Sequence, residues 1–120
     1  ITGNSSVYRF EIGQHGYVFD EFIATFDAVI KCHRNEQEYL TQTINQKIGI
    51  QYWPKAWCPS FKYDCVSRFP LAFWKVPQIT MGAKIIIFHG EINPHKAIHG
   101  GQGKWYRYVR AAPWVKEYWH

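Results

Sequence analysis

The chain has 120 residues, of which 47% are hydrophobic, and 14 basic against nine acidic side chains give a formal net charge of +5. A composition this apolar excludes a disordered chain, and the longest apolar run, residues 85–88, is far too short to cross a bilayer. The basic residues are scattered rather than gathered in a run, which favours a phosphate-bearing small ligand over nucleic acid as the partner of the positive charge.

In chain order, residues 7–10 alternate aromatic and polar side chains and read as a short strand, followed by a turn at Gly13 and Gly16. From Tyr17 to Phe26 the apolar residues Val18, Phe22 and Phe26 recur at spacings of four, the period of a helix with one buried face. A second helix is predicted over 35–45, with Asn35 able to cap it and Tyr39, Leu40 and Ile44 on one face. Residues 48–53 read as a strand stopped by Pro54. Residues 54–80 contain four prolines and many aromatics without a period, and so are expected to form a long ordered loop. Residues 84–88 are the clearest buried strand, ended by His89 and Gly90. The glycine-bearing segment 91–104, with His95 and His99, is expected to be a flexible loop, and Pro113 to open a final short helix over 114–119. The expectation is one domain over 1–120 of the α/β class, with a small mixed sheet, flanking helices and a long aromatic loop. Such a sheet would leave an edge exposed, and self-association is expected to follow.

The aromatic content, 18%, with six Trp, eight Tyr and eight Phe, either fills a large core or lines a surface that binds flat or amphipathic ligands such as sugar rings. Three cysteines, Cys32, Cys58 and Cys65, make an odd count and a poor disulfide framework, which points to a reducing, cytoplasmic setting. A strand that delivers His89 and then Gly90 at its carboxyl end puts a metal-capable imidazole beside a backbone that a phosphate can approach closely.

The segment Lys84-Ile85-Ile86-Ile87-Phe88-His89-Gly90-Glu91-Ile92-Asn93-Pro94 resembles the end of the core sheet in nucleotide-sugar transferases of the GT-A fold, the glycogenin-like and related bacterial sugar transferases. Asn4-Ser5-Ser6 resembles that family's donor-sugar motif, and Asn35-Glu36-Gln37 its Gly-Asp-Gln motif, with Asn and Glu in place of Gly and Asp. Trp53-Pro54, Trp57-Cys58, Ser60-Phe61-Lys62-Tyr63 and the closing Pro113-Trp114 resemble a bacterial branch. The resemblance covers nearly the whole chain and implies the C-terminal, acceptor-side part of a glycosyltransferase domain with a partial GT-A-like fold.

What the resemblance implies about the site is specific. His89 would complete the coordination of Mn²⁺ or another divalent metal in the complete enzyme; Asn4, Ser5, Ser6, Gly90, Lys62 and Lys96 would bind the nucleotide-sugar donor; Glu36 and Gln37 would orient a hydroxyl of the sugar or glycan acceptor. The family's Asp-x-Asp, which supplies carboxylates to the metal, does not occur in these 120 residues. The expectation is therefore a chain that lacks the nucleotide-binding half and is inactive alone. Two other readings stand beside it. One is a non-catalytic carbohydrate-binding module, which accounts for the aromatics. The other is a zinc-binding domain using Cys32, His33, Cys58 and Cys65, or His89, His95 and His99, although neither set has the close cysteine pairs that structural zinc favours.

Overall fold

The computed structural model describes residues 3–4, 6–101 and 104–119. The chain divides into two compact units, residues 1–52 and residues 53–120.

Unit 1 is helical. Helix α1 spans Gly16–Ala24, α2 spans Phe26–Cys32 and α3 spans Glu36–Lys47. The helix expected over 17–26 is present, but it breaks at Thr25. There the hydroxyl and the backbone N–H of Thr25 both donate to the Glu21 carbonyl, at 2.8 and 3.0 Å, a back-bonding pattern that bends helices. The Thr25 carbonyl then accepts from Ala28 and Val29 and starts α2. Helix α3 begins where the sequence places it: the Asn35 side chain accepts from the Glu38 N–H at 3.0 Å. The Glu38 carboxylate in turn accepts from the Arg34 N–H and faces the Arg34 guanidinium, a reciprocal arrangement close to a capping box. Tyr39 is the anchor of the unit. It is buried, packs edge-on against His33 and at a tilt against Phe22, and donates its hydroxyl to the Val18 carbonyl at 2.7 Å. Burial pushes its phenol above the ordinary tyrosine range.

Unit 2 is held by turns and one short helix, α4, over Pro94–His99. Its core consists of Phe61, Cys65, Ile92, Ala97, Val109, Ala112 and Val115, with Ile86, Phe88 and Trp114 packed against it. The aromatic loop of 54–80 is ordered as expected, through tight turns at Lys55–Trp57 and Leu71–Phe73 and a wider π-type turn at Phe61–Cys65. The closing segment Pro113–Glu117 is a 3₁₀ helix opened by proline. Within segment 91–104, expected to be a flexible loop, residues Pro94–His99 form α4 instead. The Asn93 side chain accepts from the Lys96 N–H at 2.9 Å, Pro94 fills the first helical position, and Ala97 is fully buried. The helix ends at Gly100, whose φ of 66° and close approach to the Ala111 backbone leave no room for a Cβ.

The α/β expectation is overturned. Of the described residues 46% are helical and only 3% lie in a strand or bridge, with no sheet. Residues 7–10 are exposed and make no ladder. The run 48–53 is broken by Gly49 at φ 79° just after the end of α3. Residues 84–88 are extended, yet their pairing amounts to one parallel bridge between Ser60 and Ile87. Extended backbone becomes a strand only when a neighbour repeats its hydrogen bonds along the length, and among the described residues no such neighbour exists.

Candidate functional site

The segment leading to His89 is fixed by a few hydrogen bonds to residues 57–61. The Lys84 and Ile85 N–H groups both donate to the Trp57 carbonyl, at 2.8 and 2.9 Å. Ile87 donates to the Pro59 carbonyl at 2.9 Å and accepts from the Phe61 N–H at 3.0 Å. The rings of Phe61 and Phe88 stack with centroids 4.7 Å apart and clamp the two stretches together from the core side. His89 therefore emerges at the end of an anchored segment, although that segment is no central strand.

Directly across lies Ser60, the residue that precedes the π-type turn. Its hydroxyl oxygen accepts from the Tyr63 N–H at 3.3 Å and lies 3.4 Å from Nε2 of His89. The Asp64 carboxylate accepts from the Ser60 N–H at 2.7 Å and so locks the turn. The Tyr63 ring sits 5.5 Å from the imidazole, centroid to centroid, and the Lys62 ammonium lies over the Tyr63 ring at 5.4 Å. The result is a group in which the His89 imidazole and the Tyr63 ring are exposed and Ser60 and Lys62 are half-buried, followed by Gly90 at φ 78°. Asp64 is committed to Ser60 rather than to the imidazole, so the group is not a hydrolytic relay, which needs a carboxylate on the far ring nitrogen. It can grip an anionic oxygen or a sugar hydroxyl.

The other predicted site residues are distributed as follows. Lys62, His89 and Gly90 are brought together in unit 2. Lys96 is exposed on α4, its backbone N–H taken by the Asn93 cap. Asn4 and Ser6 belong to unit 1, where the Asn4 side chain accepts from the Ser6 N–H at 2.8 Å in a local turn; Ser5 lies outside the described residues. Glu36 is exposed at the first position of α3, and Gln37 is half-buried with its carbonyl accepting from the Thr41 hydroxyl. Both are accounted for by the start of a helix. Sequence reasoning quoted Ser60 and Tyr63 as part of a motif but gave them no role. Nothing in the local pattern signals that Ser60 meets a histidine 29 positions later.

A hard divalent ion needs several oxygen ligands in one place. Among the described residues no three of His, Cys, Asp and Glu converge on a point, so the groups around His89 do not make a Mn²⁺ site by themselves. Neither zinc set assembles. Cys32 is exposed, and among the described residues no three of Cys32, His33, Cys58 and Cys65 converge. Cys65 is buried in the core, where desolvation pushes its thiol above the ordinary range and disfavours the thiolate that zinc requires. His95 and His99 pair with ring centroids 5.0 Å apart on α4, without His89.

A separate cleft of about 310 Å³ runs along Lys84, Ile86 and Phe88 to Trp114, Tyr118 and Trp119. His89 does not line it. Among the described residues no helix is long and apolar enough to cross a membrane. No protein-family model, no curated protein and no solved structure matches the chain.

Proposed function

We propose that this chain is the acceptor-side part of a nucleotide-sugar-dependent glycosyltransferase. The observation that carries the reading is the grouping of His89, Ser60, Tyr63 and Lys62 at the end of an anchored segment; of these the motif resemblance gives Lys62 a donor contact and His89 the metal that the donor diphosphate would hold. In such a reaction an acceptor hydroxyl oxygen bonds to the anomeric carbon as the bond to the diphosphate breaks. Negative charge then builds on the leaving group, and fixed cations and donors nearby supply most of the stabilisation. Lys62 and the Ser60 hydroxyl would take that role, with His89 beside Ser60. Gly90 and Lys96, also in unit 2, are the further proposed donor contacts. A divalent ion would need carboxylates that these residues do not gather, and no step here passes through one. A cytoplasmic setting accords with three free thiols, and self-association accords with the exposed Phe19, Ile23 and Ile30 on α1 and α2.

The test is titration of the chain with UDP-glucose, UDP-N-acetylglucosamine and GDP-mannose. His89→Ala is expected to weaken the best of these by about tenfold, the size of one hydrogen bond to a charged group. His95→Ala and His99→Ala are expected to leave it unchanged. Equal loss in all three variants, or no binding of any nucleotide sugar, removes the reading.

A further inference from the structure

The two units differ in charge. Residues 53–120 hold ten Lys and Arg against three Asp and Glu, whereas residues 1–52 hold four against six. All six tryptophans also lie in unit 2. No acidic residue occurs between positions 65 and 90 or between 92 and 116.

Within those two acid-free stretches the aromatics form a connected surface group. Phe69 packs edge-on against both Phe73 and Trp105, Phe73 stacks on Tyr108, and Trp105 meets Tyr106. Trp105 is 70% exposed and Trp74, which abuts Phe73, is 69% exposed. Rings this large are normally half hidden at least, so their faces are offered to something. Basic groups rim them. The Lys104 ammonium and the Arg107 guanidinium each lie 5.8 Å from the centre of the Tyr106 ring. The Arg110 guanidinium donates to the Trp74 carbonyl at 2.6 Å, and Arg68 and Lys75 are exposed next to Phe69 and Trp74.

We propose that this rimmed aromatic shelf is a subsite for an acidic oligosaccharide, a chain of uronate-bearing pyranose rings. The inference rests on the sugar-transfer reading and names the chemical class of its acceptor. The C–H face of a pyranose lies flat on an indole or phenol ring, and its carboxylate accepts from a guanidinium at the rim, where paired N–H groups match two carboxylate oxygens. Single-stranded nucleic acid also pairs aromatics with cations, but it stacks successive bases on faces set in parallel. Here neighbouring planes stand nearly perpendicular, at 76° for Phe69 and Phe73, 84° for Phe69 and Trp105 and 88° for Trp105 and Tyr106. In the one parallel pair of this group, Phe73 and Tyr108, the two facing sides cover each other.

The test uses the full chain and three probes, a hexagalacturonate, cellohexaose and an octauridylate, followed by calorimetry and tryptophan fluorescence. Hexagalacturonate is expected to bind at least about tenfold tighter than neutral cellohexaose at low salt, with the advantage shrinking as salt screens the rim. Trp105→Ala is expected to weaken both sugars by about tenfold, while Lys104→Gln with Arg107→Gln weakens only the acidic one. Trp105 is exposed, so its variant should melt like the parent; Tyr106→Ala serves as a second test of the same shelf. Unchanged binding in both ring variants, equal affinity for the two sugars, or tighter binding of octauridylate than of hexagalacturonate overturns the proposal. If hexagalacturonate does not bind while His89→Ala still weakens nucleotide-sugar binding, the subsite falls and the transfer reading stands. If hexagalacturonate binds as described and no nucleotide sugar does, the subsite stands and the chain is a carbohydrate-binding module.

Discussion

Unit 1 and unit 2 reach order by different routes. In unit 1 nearly every hydrogen bond that sets the backbone is local: the Thr25 break, the Asn35 cap and the Glu38 return all join residues within four positions. The tie between Tyr39 and Val18 then docks α3 on α1. In unit 2 the decisive contacts are remote in sequence, such as Ile87 with Pro59, Ala112 with Ala97, Trp114 with Pro77 and His89 with Ser60. A helix pays for its own ordering one bond per residue. A unit made of turns becomes ordered only when its core closes, so its parts should fail together.

The difference can be broken most severely at Gly100. Gly100→Ala puts a methyl group into the Ala111 backbone at a φ that side chains avoid, and a loss of about 4–5 kcal/mol is expected for a collision of this kind. Because every tryptophan lies in unit 2, its fluorescence should shift to that of solvated indole. Circular dichroism should retain the signal of α1 to α3. A simultaneous loss of both signals would mean that the two units fold as one.

A smaller effect is expected at Tyr39. Tyr39→Phe keeps the ring packing and removes the hydroxyl bond to the Val18 carbonyl, at a cost of about 1 kcal/mol. The helical melt should move down and the tryptophan melt should not. Movement of the tryptophan melt alone would refute the assignment of Tyr39 as the anchor of unit 1.

The smallest effect concerns acid. The Arg34 backbone N–H, and then its guanidinium, hold the Glu38 carboxyl below its ordinary range. A group whose value is lower in the folded state stabilises at pH above its unfolded value, and that contribution disappears as pH falls through the lowered one. Helicity should therefore decline slightly on acidification below the ordinary carboxylate range. Glu38→Gln should flatten that decline and leave tryptophan fluorescence unaltered; an unchanged acid response in the variant would assign the decline to another group.

Sequence by itself determined α1, α3 and the position of the α3 cap, because an Asn followed by a polar first turn and a spaced apolar face is a local instruction that the backbone can execute within one turn; the break at Thr25 and helix α2 beyond it were not legible. It also determined that residues 54–80 would be ordered and that Pro113 would open a helical turn. It could not determine what residues 84–88 would pair with, since an apolar run without a period specifies burial but no partner, and the resemblance to a sheet-based family supplied a strand that does not form. Nor did it reveal α4, whose glycine-rich surroundings read as a loop until Asn93 and the burial of Ala97 are in view. The meeting of Ser60 with His89, and the assembly of residues 68–75 with 104–110 into one basic aromatic shelf, were decided by tertiary structure alone. Each joins stretches about thirty positions apart, and only closure of the unit 2 core around Phe61 brings such stretches together.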